Sequence, residues 1–269
     1  MQAPEERYLS AMAIRTYLTC PLRFRYRYLD NLYWSRLWGG APDERRALEQ
    51  GQHFHLLARR YYAGVDPALI AAPVEGDVLT DWFHRLTQFL PRTFDRVFYP
   101  ELELRLTRPD LRLVAKFDLV VVDPDGHATI FDWKTEKRMP RRSFLRKSPQ
   151  TLVYRFLLCA AGGAYSPRGR FRPEEVSMVY WNPQFPDQWY RLPYSEAQYR
   201  KDEEYLCSLV SQILRTPRER FLATAEENVC RSCEYRMLCH GQRTDRAEAE
   251  EEEELAEETL SWDDLPELP

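Results

Sequence analysis

Residues 111–134 read LRLVAKFDLVVVDPDGHATIFDWK, and this stretch predicts two antiparallel strands joined by a tight turn. The first strand is rich in Leu, Val and Phe and holds one acid in its middle, Asp118. The linking tetrapeptide, residues 123–126, has Asp first, Pro second and Gly fourth, as favoured by a type I turn followed by a left-handed glycine. Such a three-residue hairpin loop predicts that Asp123 pairs with His127.

This register predicts a cluster of charges at the far end of the hairpin. Counting back from the turn sets Asp118 opposite Asp132 and Lys116 opposite Lys134, and Lys134 points the same way as Asp132. Two directly opposed carboxylates repel unless they share a proton or hold a cation, and Mg²⁺ is commonly held by one or two carboxylates. The alternative interpretation is a solvent-facing hairpin with ordinary surface charges. An acid within an apolar strand favours the cation, because such an acid needs a partner.

The rest of the chain predicts helices and strands on both sides of this hairpin, and therefore a mixed α/β fold. Helices are predicted at Ser10–Leu18, Leu22–Tyr28, Glu44–Tyr62, Gln150–Ala161 and Ser195–Arg215, and strands at Pro100–Thr107, Leu111–Val122, His127–Lys134, Glu175–Trp181 and Gln188–Leu192.

The charge of the chain is unevenly distributed. Among 269 residues with a net charge of −4, residues 245–269 hold twelve acids and one arginine, so residues 1–244 carry +7. We expect one domain over 1–244 and an acidic, disordered tail over 245–269, because like charges repel and bury nothing. No apolar run approaches eighteen residues and no signal-peptide pattern opens the chain, so a cytoplasmic protein without membrane contact is expected.

Two basic stretches are candidates for contact with nucleic acid. Residues 22–28 alternate arginine with aromatic residues, which suits either phosphate contacts with stacking bases or a helix with solvated arginines. A second run follows the hairpin, with Pro140 and no apolar period, and is predicted to be a loop that contacts a phosphodiester backbone. Its DNA-binding candidates are Arg138, Arg141, Arg142, Arg146 and Lys147.

The cysteines predict a metal-bound C-terminal region. Cys230, Cys233 and Cys239 lie within ten residues of one another in a segment predicted to be a loop, and Cys20 at a helix break is the candidate fourth ligand. Four thiols suit tetrahedral zinc or an iron–sulfur cluster, and their spacing does not separate the two.

Together these residues resemble the PD-(D/E)XK nucleases of the RecB-like type. The resemblance rests on His55 in the order Gly51-x-x-x-His55, on Asp118, on Asp132-Trp133-Lys134 and on Gln150-x-x-x-Tyr154. The four cysteines further resemble the branch that includes CRISPR-associated exonucleases and helicase–nuclease subunits. The resemblance covers roughly residues 10–240. Two departures are Ala115, where the family usually has glycine, and the acidic tail, which has no counterpart.

The resemblance implies a restriction-endonuclease-like fold, with a mixed central sheet flanked by helices and an iron–sulfur region that joins the N- and C-terminal segments. It implies Mg²⁺ or Mn²⁺ at one site and a 4Fe–4S cluster, with Zn²⁺ as the alternative, at the other. The implied metal ligands are His55, Asp118, Asp132 and the Trp133 carbonyl; the implied catalytic residues are Lys134, Asp132, Asp118, Gln150 and Tyr154; the implied cluster ligands are Cys20, Cys230, Cys233 and Cys239.

The implied activity is hydrolysis of DNA by an exonuclease that acts on single strands or ends, in CRISPR adaptation or in recombination and repair. CRISPR adaptation proteins or a helicase are the implied partners. Two other functions stay open: a non-catalytic DNA-binding or assembly subunit with a structural cluster, and a zinc-ribbon-like interaction protein. Glu103 is a further candidate for support of the metal site, with a plain surface acid as the alternative.

Overall fold

In this computed structural model, residues 7–32, 42–70, 77–231 and 233–241 are described, without the side chains of 42–45. The predicted tail, residues 245–269, lies outside them. The helices are α1 (Ala11–Thr19), α2 (Pro21–Phe24), α3 (Pro42–Tyr62), α4 (Pro67–Ile70), α5 (Val78–Phe89), α6 (Arg142–Lys147), α7 (Pro149–Ala161), α8 (Glu196–Arg215), α9 (Glu227–Arg231) and α10 (Arg236–His240), with a π-helical turn at Arg25–Leu29. The strands are β1 (Val97–Pro100), β2 (Glu103–Arg108), β3 (Leu111–Lys116), β4 (Leu119–Val122), β5 (Ala128–Trp133), β6 (Val176–Trp181) and β7 (Trp189–Pro193).

A five-stranded mixed sheet forms the centre, in the order β1-β4-β5-β6-β7, with β5 and β6 parallel and the other neighbours antiparallel. Both of its faces are buried by helices. Val120, Ile130 and Tyr180 face the layer that contains α7 and α8. Their strand neighbours Val121 and Phe131 face the layer that contains α3 and α5. The sheet is therefore enclosed on both sides, which explains its nearly uninterrupted apolar strands.

The predicted turn chemistry is confirmed. Asp123 N–H donates to the His127 carbonyl at 2.9 Å, Gly126 N–H donates to the Asp123 carbonyl at 2.9 Å, and Gly126 has a φ of +86°. The register that follows is also confirmed as far as Leu119, which pairs with Phe131.

The prediction of one unbroken strand over Leu111–Val122 is wrong. Pro100 pairs with Leu119 in the central sheet, whereas Glu103 pairs with Lys116 in a separate two-stranded sheet, β2-β3. Between the two sheets the backbone kinks, since Glu101 has a φ of +54°. Lys116 therefore lies opposite Glu103. The turn register alone had placed it opposite Lys134.

Two predicted helix starts are confirmed, and a capping serine lies at each of them. Ser10 accepts a hydrogen bond from Ala13 N–H at 3.2 Å at the start of α1, and Ser195 accepts one from Gln198 N–H at 3.2 Å at the start of α8. Two predicted loops contain helices instead. The basic run contains α6, and the cysteine segment contains α9 and α10. All three helices are too short for apolar periodicity to reveal them. No described helix combines the length and apolar character that a bilayer span requires.

Candidate active site

Asp118 and Asp132 meet where the kinked hairpin leaves the central sheet. Leu119 and Phe131 are the last residues that pair between β4 and β5 at this end; Asp118 comes one residue before Leu119, and Asp132 one residue after Phe131. Asp132 is only 3% exposed, and the Asp118 side chain is 19% exposed. Burial, together with the negative charge of Asp118, raises the pKa of Asp132 to about 6, although the charge of Lys134 opposes this shift. A second positive charge beside these carboxylates would be strongly favoured.

Lys134 and Gln150 surround the buried carboxylate of Asp132. Lys134 Nζ lies 2.8 Å from Asp132 Oδ1 and donates to Gln150 Oε1 at 3.0 Å. Gln150 Nε2 donates to Asp132 Oδ2 at 2.6 Å. Burial opposes the charge of Lys134, but the charge of Asp132 outweighs it and raises the pKa of the ammonium. Asp132 Oδ1 is buried, and the Lys134 ammonium is the positive charge that lies against it.

Asp118 is held by groups from two other elements. His55 Nδ1 lies 3.2 Å from Asp118 Oδ1, and Trp133 N–H donates to Asp118 Oδ2 at 2.8 Å. Burial lowers the pKa of His55, but the hydrogen bond to Asp118 and the charges of Asp118, Asp132 and Glu101 raise it overall. The Trp133 ring is buried and stacks on Phe131 at 5.5 Å, which fixes the backbone that contacts Asp118.

The position of His55 depends on Gly51, one helical turn earlier in α3. A Cβ added at Gly51 would lie 2.6 Å from Thr135 Oγ1, immediately after Lys134. Only a residue without a side chain lets α3 approach the end of β5 so closely. The glycine in the Gly51-x-x-x-His55 spacing thus has a packing role that brings the imidazole to the carboxylates.

Tyr154 lies on the same helix as Gln150 but contacts a different group. Its hydroxyl donates to the Lys116 carbonyl at 2.9 Å, at the end of β3. Burial, followed by the charge of Asp132, raises the pKa of this hydroxyl. Tyr154 therefore supports the kink in the hairpin, while Gln150 supports the lysine.

The acid that approaches the site from the preceding strand is Glu101, which the sequence did not single out. Glu103, the predicted candidate, is exposed and pairs with Arg105 at 2.8 Å. Glu101 N–H donates to the Asp118 carbonyl at 3.0 Å, and its carboxylate pairs with Lys116. In a strictly alternating strand Glu101 and Glu103 lie on the same face, so alternation does not distinguish them. The signal in the sequence that favours Glu101 is Pro100 directly before it, a residue type common in turns.

The predicted DNA-binding residues lie on α6 and on the loop before it, which connect β5 to α7. Arg142 donates to the Arg191 carbonyl at 3.4 Å, and Arg146 is exposed. In the sequence, this basic segment lies between Lys134 and Gln150. The full set is Arg138, Arg141, Arg142, Arg146 and Lys147, of which all but Lys147 are exposed.

The aromatic and basic run of residues 22–28 has a structural role instead of either predicted one. Arg23 Nη2 and Arg27 Nη2 contact the buried carboxylate of Glu234 at 2.7 and 2.5 Å. Arg25 pairs with Asp30 at 3.2 Å. Arg23 and Arg27 therefore join the N-terminal segment to the C-terminal one and are largely shielded from solvent, whereas Arg25 pairs within the N-terminal segment.

The same contact between the two ends of the chain brings four cysteines together. Cys20, Cys230, Cys233 and Cys239 line one pocket with Tyr26. Burial, and next the proximity of Cys20, raise the pKa of Cys230 and of Cys239. Burial raises the pKa of Cys233 to about 11. Across the described residues, however, no three His, Cys, Asp or Glu side chains are grouped closely enough to hold a metal ion.

Comparison with known proteins agrees with this architecture. Residues 8–240 match the family model of the PD-(D/E)XK nuclease superfamily. No curated protein matches the chain. Among solved structures, the crystal structure of SSO0001 is similar, with 14% sequence identity, a TM-score of 0.40 and coverage of 89% of each chain. Because the family model spans the whole region from the first helix to the last, the chain belongs to the PD-(D/E)XK nuclease superfamily.

Proposed function

We propose that this protein is a metal-dependent deoxyribonuclease whose active site is formed by Asp118, Asp132, Lys134, Gln150 and His55. The observation that carries the proposal is the buried contact between Asp132, Lys134 and Gln150 beside a second carboxylate. Burial of Asp132 and Lys134 beside a second acid costs stability, so a function explains this arrangement better than a contribution to stability does.

The chemistry of these donors suits a hard divalent cation, although the described side chains would have to move closer together to hold one. Asp118, Asp132, His55 and the Trp133 carbonyl would hold Mg²⁺ or Mn²⁺, and the imidazole makes Mn²⁺ as acceptable as Mg²⁺. When bound, the cation supplies Lewis-acid catalysis and lowers the pKa of a water molecule.

Lys134 and its neighbours supply the remaining chemistry. The Lys134 ammonium, held by Gln150 and by the charge of Asp132, can stabilise negative charge on a phosphate and orient the attacking water. Its raised pKa keeps the ammonium protonated, so its role is electrostatic. Tyr154 keeps the strand before Asp118 in place.

We infer that the substrate is DNA, as single strands or ends, and that hydrolysis is exonucleolytic. The exposed arginines of α6 and its preceding loop support this inference, because they can neutralise the charge of a nucleic-acid backbone. CRISPR adaptation or recombination and repair, with adaptation proteins or a helicase as partners, are the settings that the resemblance suggests.

We further propose that Cys20, Cys230, Cys233 and Cys239 bind a 4Fe–4S cluster, with Zn²⁺ as the alternative. Their shared pocket and their convergence from both ends of the chain support this assignment. On this proposal residues 1–244 form one nuclease domain closed by the cluster, and residues 245–269 form a separate acidic tail. Iron and sulfide analysis of anaerobically purified protein tests the assignment, and a colourless protein that contains zinc without iron would contradict the cluster.

Digestion of end-labelled single-stranded DNA with Mg²⁺ or Mn²⁺ tests the nuclease. Wild-type protein should cleave, and Asp132→Ala and Lys134→Ala should abolish cleavage. Glu103→Gln is the matched control, since Glu103 is an exposed acid of the neighbouring strand and should be dispensable. Tight DNA binding without turnover would favour a non-catalytic binding or assembly subunit instead.

A further inference from the structure

Glu101 occupies a backbone conformation that its residue type disfavours. Its φ of +54° is in the left-handed region, where a side chain with a Cβ is uncommon. The other described non-glycine residue with a positive φ is Asn31, a residue type that tolerates this region. Glycine would adopt the conformation freely, so glutamate at this position is best explained by its side chain.

The side chain of Glu101 joins the two sheets across the kink. Glu101 follows β1 in the central sheet, and its carboxylate pairs with Lys116 at the end of β3 in the two-stranded sheet. The Glu101 carboxylate is mostly covered, at 21% exposure, whereas Lys116 is 57% exposed. The ion pair thus links the two halves of the hairpin across the kink.

Asp118 lies directly opposite Glu101 at this kink. Its carbonyl accepts the Glu101 N–H at 3.0 Å, and the next contact along the kink, Phe117 N–H to the Leu102 carbonyl, measures 2.8 Å. The carboxylate of Asp118 accepts the Trp133 N–H. A change in the kink angle would therefore move Asp118 relative to Trp133 and Asp132.

We propose that Glu101 is a positioning residue, whose ion pair with Lys116 holds Asp118 in its place beside Asp132. The proposal rests on the proposed function, since it explains how Asp118, one of the proposed cation ligands, is kept in place. Glu101 acts through Lys116 and through its own backbone.

The first test is amide hydrogen exchange of Trp133 in full-length, metal-free protein. Glu101→Gln and Lys116→Met should each accelerate Trp133 exchange by about tenfold, and the double variant should exchange no faster than the single ones, because both remove the same contact. Glu196→Gln is the control, because it removes an exposed ion pair with Arg200 on α8 and should leave Trp133 exchange unchanged. Unaltered Trp133 exchange in Glu101→Gln, or additive effects in the double variant, would overturn the proposal.

The second test separates positioning from simple charge, using Mn²⁺ alone as the probe. If Glu101 acted only as a nearby negative charge, Glu101→Gln would weaken Mn²⁺ binding but Lys116→Met would strengthen it. Positioning predicts that both substitutions weaken Mn²⁺ binding several-fold. Stronger binding in Lys116→Met would therefore refute the positioning role.

Two results keep this inference distinct from the proposed function. Wild-type protein that neither binds Mn²⁺ nor cleaves DNA would defeat the nuclease proposal, whereas Trp133 exchange would still judge the role of Glu101.

Glu101→Gly provides a check on folding, because it removes the ion pair and relaxes the backbone together. It should unfold at the wild-type temperature or above, yet show the same fast Trp133 exchange as Glu101→Gln.

Discussion

Gln150 Nε2 donates to Asp132 Oδ2 at 2.6 Å, so the first turn of α7 is attached directly to the buried carboxylate at the end of β5. The other end of the same amide accepts from Lys134. A single side chain thus sets the distance between the acid and the ammonium.

Replacement of Gln150 by leucine should lower kcat for DNA cleavage by at least tenfold. The variant should also lose about 1–3 kcal/mol of unfolding free energy, because buried polar atoms lose their partner. Steady-state cleavage and urea unfolding measure the two effects. Gln198→Leu is the matched control, since Gln198 Nε2 donates to Asp202 Oδ1 at 2.6 Å far along the chain, on α8. It should lose stability without loss of kcat, and equal kcat in both variants would contradict the role of Gln150.

Mn²⁺ binding should weaken as the pH falls through about 6, since the folded pKa of Asp132 is raised to about 6 and its protonated form cannot bind a cation. Below that value the affinity should drop about tenfold per pH unit. The stability of the metal-free protein changes with pH in the opposite direction. Between pH 3.8 and about 6 the folded chain keeps a proton that the unfolded chain has lost, so this residue's contribution to metal-free stability is lost as pH rises. Mn²⁺ titrations at pH 5–8 provide the measurement, and an affinity independent of pH would count against Asp132 as a ligand.

Gly51→Ala should destabilise the protein by about 1–3 kcal/mol, because the new Cβ would meet Thr135 Oγ1 at 2.6 Å. Thr135→Ala should restore much of this stability, since the remaining Thr135 Cβ lies 3.6 Å away. Thermal unfolding of the two single variants and of the double variant measures the coupling. Additive losses would show that the close approach of α3 to Thr135 is not the cause.

Glu234→Gln should loosen the contact between the chain ends, because two buried arginines lose their counter-charge. The loss should be about 3–5 kcal/mol, as for other buried ion pairs deprived of one partner. Burial opposes the shift, but the charges of Arg23 and Arg27 lower the pKa of Glu234 from 4.5, so its stabilising effect is present above that value and is lost in stronger acid. Limited proteolysis after residue 215 is a suitable measure, with the exposed Glu226→Gln as control. Equal protease resistance in both variants would contradict this role.

Local rules predicted the parts of the site that local residues determine. The Asp-Pro-Asp-Gly turn set the register that puts Asp118 next to Asp132, and the helix starts predicted at Ser10 and Ser195 coincide with capping serines. The kink was not predicted, because the alternation of charged residues and leucines begins at Glu101 itself and continues to Leu106, which is typical of one strand, and a left-handed glutamate has no sequence signature. Likewise, the partner of Arg23 and Arg27 is about 200 residues away, and only tertiary packing reveals it.

The contact between the chain ends has a consequence for synthesis on the ribosome. Phe24, 1% exposed in the folded protein, stacks on Phe221 with ring centroids 5.8 Å apart. At a synthesis rate of about 5–20 residues per second, Phe24 lacks its contact with Phe221 for roughly 10–40 s after it is made. The hairpin that carries Asp118 and Asp132 is complete much earlier. Nascent chains should thus expose the Phe24 ring to chaperones until nearly the whole domain has been translated.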